Sequence, residues 1–137
     1  MSQTKLQSSQ VELHQSSERI YDFLCNLNNF QKLMPPEISD WNSTETECSF
    51  TLKGMPTIGF IIFEKTPVST IVYKATGKVP SDIYLRVALE SATDNACKVQ
   101  LFLEAELNPM LKMMVEKPLT KFLEVLAANL SKLNPEA

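Results

Sequence analysis

The sequence predicts an α+β domain in which an antiparallel sheet wraps around one long C-terminal helix. Three observations carry that expectation. Residues 83–90 and 97–106 alternate apolar and polar side chains, the period of strands with one dry face and one wet face. After Asn108, apolar residues recur at helical spacing to the end of the chain. No connection between the strand-like segments is long enough for a crossover helix, so neighbouring strands pair antiparallel and a doubly wound sheet is excluded.

At the start of the chain, Leu6 has one parity and Val11 with Leu13 the other, which predicts an opening strand with a bulge or bend near Ser8-Ser9, or a frayed end leading into a short strand. Ser16 or Ser17 can cap a helix, and Glu18 suits its first turn. Ile20, Phe23, Leu24 and Leu27 then fall on one face. Asn28-Asn29 is expected to interrupt that helix. Phe30, Leu33 and Met34 suggest a second short piece, which Pro35 and Pro36 stop. Residues 38–46 are polar and ambiguous. Cys48, Phe50 and Leu52 alternate with Ser49, Thr51 and Lys53 as a half-buried strand, and Gly54-Met55-Pro56 reads as a turn. Residues 58–65 are apolar on both parities, which predicts a central strand or one covered on both faces; Pro67 ends it. Residues 70–75 are β-branched and aromatic, with Gly77 closing the run and Pro80 marking a boundary.

In the closing hairpin, Ile83, Leu85, Val87 and Leu89 share a face with Cys97, Val99, Leu101, Leu103 and Ala105 across a turn at Asp94-Asn95. A dry face of that length needs a cover. Asn108 as N-cap and Pro109 at the first position begin it. Leu111, Met114 or Val115, Leu119, Phe122, Leu126, Leu130 and Leu133 form its stripe, while Lys112, Lys117, Lys121 and Lys132 face water. About 25 residues of helix span roughly 38 Å. Pro118 removes one helical hydrogen bond and crowds the Met114 carbonyl, so a bend is expected there. Pro135 lies just past the end.

The chain of 137 residues, 44% hydrophobic, suffices for one domain over residues 1–137 with a core needing no disulfide or metal. Its net charge is −3 and its cations are dispersed, which argues against nucleic acid and against an anionic membrane surface as a standing partner. No apolar run is long enough to span a membrane, and residues 1–5 lack the apolar core of a signal peptide. Cys25, Cys48 and Cys97 read as reduced, packed thiols of a cytoplasmic protein.

Signals for chemistry are sparse. His14 is the only histidine and no cysteine pair has ligand spacing, so no metal or cofactor is expected. There is no nucleophile elbow, phosphate loop or dinucleotide fingerprint. Asp82, Tyr84 and Arg86 read as a solvated outer face. Glu64 continues the parity of Ile58, Phe60 and Ile62 and could stand at the mouth of an interior space, as a rim charge or a turn cap or, less simply, a base. Tyr73 shares its parity with Ile71 and Ala75; if buried, its hydroxyl needs a partner.

The segments Ser17-Glu18-Arg19-Ile20-Tyr21-Asp22-Phe23-Leu24 and Asn28-Asn29-Phe30-Gln31-Lys32-Leu33-Met34-Pro35, with the closing helix from Asn108 to Leu133, resemble the START-like or Bet v 1-like superfamily. The likeness points in particular to its polyketide cyclase/dehydrase and coenzyme Q-binding branch, and covers nearly the whole chain. It implies a helix-grip fold: a curved sheet of six or seven antiparallel strands around the long helix, with two short helices after the first strand. It also implies a cavity between sheet and helix, but carries over no catalytic residue. Lining candidates are Phe23, Met34, Trp41, Phe50, Phe60, Tyr73, Leu85, Leu101, Met110, Met114 and Phe122, each of which could equally be core packing. Met110, Met113 and Met114 could form an adaptable rim. Three roles are compatible with the resemblance: a carrier of a small apolar or amphipathic molecule (a lipid, quinone or polyketide-like compound), which is not an enzyme; a cyclase or dehydratase on the same scaffold; or a protein-interaction module with a filled interior. Homodimerisation stays open.

Overall fold

The computed structural model describes residues 2–52, 57–77 and 82–132. The turn expected at Gly54-Met55-Pro56, the boundary at Pro80, and Leu133 and Pro135 lie outside them.

The described residues form eight strands and two α-helices: β1 Ser2–Gln7, β2 Val11–Leu13, α1 Ser17–Leu24, β3 Ser39–Ser43, β4 Glu47–Thr51, β5 Thr57–Thr66, β6 Thr70–Gly77, β7 Ile83–Thr93, β8 Ala96–Leu107 and α2 Pro109–Ser131. A short 3-10 helix, Leu27–Leu33, comes after α1. The strands make one open antiparallel sheet in the order β1-β8-β7-β6-β5-β4-β3, and β2 also pairs with β8. Since β1 and β2 lie end to end along β8, the sheet is seven strands wide. The bend expected at Ser8-Ser9 separates them. Ser8 is fixed there: its N–H donates to the Leu101 carbonyl and its hydroxyl accepts from the Leu101 N–H.

Side-chain alternation sets the inner face. Leu85, Val87 and Leu89 are buried with Val99, Leu101, Leu103 and Ala105 opposite them, and Ile71, Tyr73 and Ala75 continue the surface onto β6. Three helical pieces cover it. α1 lies over β6, β7 and β8, the tight helix over β3 and β4, and α2 over β8, β1 and β2. α2 also reaches β4, where Phe122 stacks on Phe50 at 6.0 Å.

Local sequence explains the helix boundaries. Ser16 caps α1 by accepting from the Arg19 N–H, and Asn108 caps α2 by accepting from the Leu111 N–H at 2.8 Å. Asn28-Asn29 does not interrupt a helix as expected. The break falls at Cys25-Asn26, and the Asn26 side chain starts the tight helix by accepting from the Asn28 N–H. Met34 then turns extended, with ψ of 148°, as Pro35 demands. α2 runs unbroken through Pro118.

One parity reading is overturned. β5 carries a bulge between Ile62 and Glu64. Ile62 pairs with the buried Tyr73, but Glu64 pairs with Val72 on the outer face and is exposed. The extra residue, Phe63, switches the alternation, as a bulge must. Glu64 therefore does not stand at an interior mouth. The outer face is the solvated one: Lys74 pairs with Asp82 at 3.7 Å, and Arg86 with Glu104 at 3.1 Å.

Candidate functional site

The inner face is not covered evenly. Under α1 it is tightly filled: Leu85, Ile71 and Tyr73 are fully buried, and Phe30 packs edge-on against Tyr73 at 4.8 Å between ring centres. The Tyr73 hydroxyl donates to the Leu24 carbonyl, one of the orphan acceptors at the C-terminal end of α1. The opposite end of the sheet is where β4 leads to β5, β6 to β7, and β8 to α2. There, inward-facing Ile58 and Ile83 remain partly exposed, as do Leu52 at the end of β4 and Leu111 and Val115 on the first half of α2. These are apolar side chains on the core side of their elements that the protein itself leaves incompletely covered.

A cleft of about 260 Å³ opens at this end, lined by Pro35, Pro36, Glu37, Leu52, Pro118, Lys121, Phe122 and Val125. The prolines that stop the tight helix make one wall, and α2 makes the other. Lys121 and Glu37 supply charge to a lining that is otherwise apolar. Behind Phe122, aromatic rings continue inward: Phe50 lies 6.1 Å from Phe60, and Trp41 stacks on Phe50 at 5.9 Å. The Trp41 indole N–H donates to the Ser43 hydroxyl at 3.2 Å, so its polar edge is satisfied.

The structure brings Trp41, Phe50, Phe60 and Phe122 together beside the cleft. Phe23, Tyr73, Leu85, Leu101 and Met34 do not line this cleft, though all five belong to the same buried core; Phe23 borders a separate surface pocket with Arg19, Asp22, Asn29 and Lys32. Met110 and Met114 are set apart, 74% and 68% exposed on the outward side of α2. Helical geometry accounts for this. Val115, the alternative to Met114 in the stripe, is the residue turned inward, and the buried stripe proper begins at Leu119. The cleft walls Pro35, Pro36, Leu52, Pro118 and Val125 were not among the expected lining. The prolines carried a signal in the sequence only as breakers, Pro35 and Pro36 ending the tight helix and Pro118 standing inside α2.

Electrostatics in the interior favour neutral groups. Burial pushes the Cys48 thiol up to about 11, with Glu47 adding to the rise against a lowering backbone hydrogen bond from Phe60. Burial likewise holds the Tyr73 phenol well above its ordinary range and raises the Cys97 thiol. The interior thus disfavours charge. Among the described residues no three metal-ligating side chains cluster, and no helix is long and apolar enough to cross a membrane.

Comparison with solved structures completes the geometry. Truncated norcoclaurine synthase from Thalictrum flavum superposes with a TM-score of 0.76 at 14% identity, covering 96% of this chain and 92% of that one. A START superfamily protein from Mycobacterium smegmatis gives 0.66 at 14% identity, over 96% and 99% of the two chains. This chain has the START/Bet v 1-like fold. The di-domain ARO/CYC BexL from the BE-7585A biosynthetic pathway gives 0.65 at 14% identity, over 96% of this chain and 46% of that one. No protein-family model matches the sequence, and no curated protein matches it either. At such identities the START/Bet v 1-like likeness is one of backbone, and the role of the site rests on its own residues.

Proposed function

We propose that the chain binds one small apolar or amphipathic molecule between the inner face of the sheet and the first half of α2. The single observation that carries this reading is the partial exposure of Ile58, Ile83, Leu52 and Val115, which pack against the core, Leu52 also lining the apolar cleft. A molecule lying against them would take that surface from water, worth about 25 cal/mol per Å² of apolar area. Phe122 lines the cleft, and Phe50, Phe60 and Trp41 pack in series behind it as a stiff backing. Glu37 and Lys121 at the cleft would meet any polar end of the molecule.

A binding role is favoured over catalysis. The Tyr73 hydroxyl is committed to the Leu24 carbonyl. The buried polar side chains among the described residues are Thr4, Ser8 and Ser17, which supply no acid–base pair. Native mass spectrometry of the purified protein, followed by solvent extraction, tests the proposal. The expected result is a reproducible small apolar species bound one to one. A bare chain mass in every preparation, including protein incubated with oleate, would overturn it.

A further inference from the structure

The half of α2 that borders the open end of the interior has a second face, and that face is inverted. A helix on a sheet ordinarily turns polar side chains to water. Here Met110, Met113 and Met114 are 74%, 80% and 68% exposed. With Phe63 on the far side of the sheet, they are the exposed large apolar side chains among the described residues. Positions 110, 113, 114, 117 and 121 match the i, i+3, i+4, i+7, i+11 pattern, so the three methionines share one face with exposed Lys117 and Lys121. The acidic residue further along that face, Glu124, accepts a hydrogen bond from the Ser9 N–H. Glu116 lies off it by helical spacing. The lysines seemed dispersed because they are scattered in sequence; the helix brings two of them to one line directly behind the apolar tip.

We propose that the first turns of α2 dock on an anionic lipid surface, with Met110, Met113 and Met114 entering the headgroup–acyl boundary and Lys117 and Lys121 meeting lipid phosphates. At 1.5 Å per residue, Lys117 stands roughly 5 Å along the axis from Met113 and Met114, one turn behind the apolar tip. Methionine's unbranched, polarizable chain suits an irregular acyl environment. Each lysine contributes roughly fivefold to binding at an anionic surface. The docking deepens the binding role proposed above, and its purpose rests on that role: the tip sits on the same helical turns whose inner side, Leu111 and Val115, borders the incompletely covered interior. An apolar molecule could then pass from bilayer to protein with little exposure to water.

Co-sedimentation of the full chain with two vesicle types tests the proposal: phosphatidylcholine alone, and phosphatidylcholine with about one third phosphatidylserine. The expected result is partition onto the anionic vesicles, weakened by added salt, with little on the neutral ones. Met113→Glu should reduce it about tenfold and Lys117→Glu several-fold, with thermal unfolding unchanged because both side chains are solvent-exposed. Wild-type protein that stays in the supernatant with both vesicle types, or Met113→Glu binding as well as wild type, would overturn the proposal. So would a dimer that Met113→Glu dissolves in the absence of any vesicle binding, which would assign the face to a second copy of the chain. Oleate uptake by the same variants in vesicle-free solution reads the interior separately: retained uptake with lost vesicle binding supports the surface role, and lost oleate uptake in wild type strikes at the interior site alone.

Discussion

At the scale of single residues, several positions do unusual physical work. Val68 sits in the turn between β5 and β6 with φ of 62°, behind Pro67, and the Ser69 N–H closes on the Thr66 carbonyl at 3.1 Å. That third turn position suits glycine, and a β-branched residue there is strained. Val68→Gly should therefore raise stability by about 0.5–1 kcal/mol, the relief of left-handed strain exceeding the added freedom of the unfolded chain; a lower urea midpoint would contradict the assignment. Tyr73 joins β6 to the end of α1 through one buried hydrogen bond. Tyr73→Phe should cost about 1–2 kcal/mol in urea unfolding by leaving the Leu24 carbonyl without that donor. Cys48 sets an alkaline dependence. Its thiol holds its proton to about 11 in the folded chain against an ordinary 9.0. As pH rises between those values the unfolded chain loses the proton first, so its contribution to stability is full below pH 9 and lost toward pH 11. The loss is on the order of 2 kcal/mol, and Cys48→Ala should flatten that part of the urea-midpoint profile. Cys97, raised in the same direction, leaves a residual slope.

At the scale of elements, α2 combines two kinds of helix. From Leu119 onward it is a core helix, with Leu119, Phe122, Leu123, Leu126, Ala127 and Leu130 buried. Before Pro118 it is attached mainly by its half-buried side, Leu111 and Val115. Pro118 marks the junction and also lines the cleft. The missing N–H at Pro118 leaves the Met114 carbonyl without its helical donor. Pro118→Ala should restore that bond and raise stability by about 1–3 kcal/mol, while hydrogen exchange slows in residues 110–117. Unchanged exchange there would show that the proline does not set the looseness of this segment. Most elements were legible in the sequence because period, caps and breakers agreed: the two-residue alternation of β7 and β8, Ser16 and Asn108 as caps, Pro35 as a stop. The exceptions have local causes. The bulge at Phe63 inserts one residue that no composition signal marks, so Glu64 changes face. Asn28-Asn29 resembles a breaker, yet the break is made by Asn26, whose side chain caps the tight helix.

At the scale of the molecule, the proposed binding role rests on uneven coverage of one sheet face. α1 and the tight helix fill the middle, and the second half of α2 meets the aromatic stack. The end where β4, β6 and β8 lead onward is left with inward apolar side chains incompletely shielded. The sequence showed which residues point inward, because parity and helical spacing are local. It did not show which of them stay uncovered, because that depends on how α2 is seated against the sheet, a sum of contacts from distant parts of the chain. Phe50, Phe60 and Phe122 were therefore recognisable as interior residues, whereas the incomplete cover of Leu52, Ile58 and Ile83 and the proline walls of the cleft were not. The most direct test observes those side chains. In a protein carrying NMR-visible isoleucine methyl groups, titration with anilinonaphthalene sulfonate should shift Ile58 and Ile83, and leave Ile20 and Ile71, fully buried in the packed region, unmoved. Saturable shifts confined to the outer-facing Ile61, or no shifts at any isoleucine, would contradict a binding site at this end of the inner face.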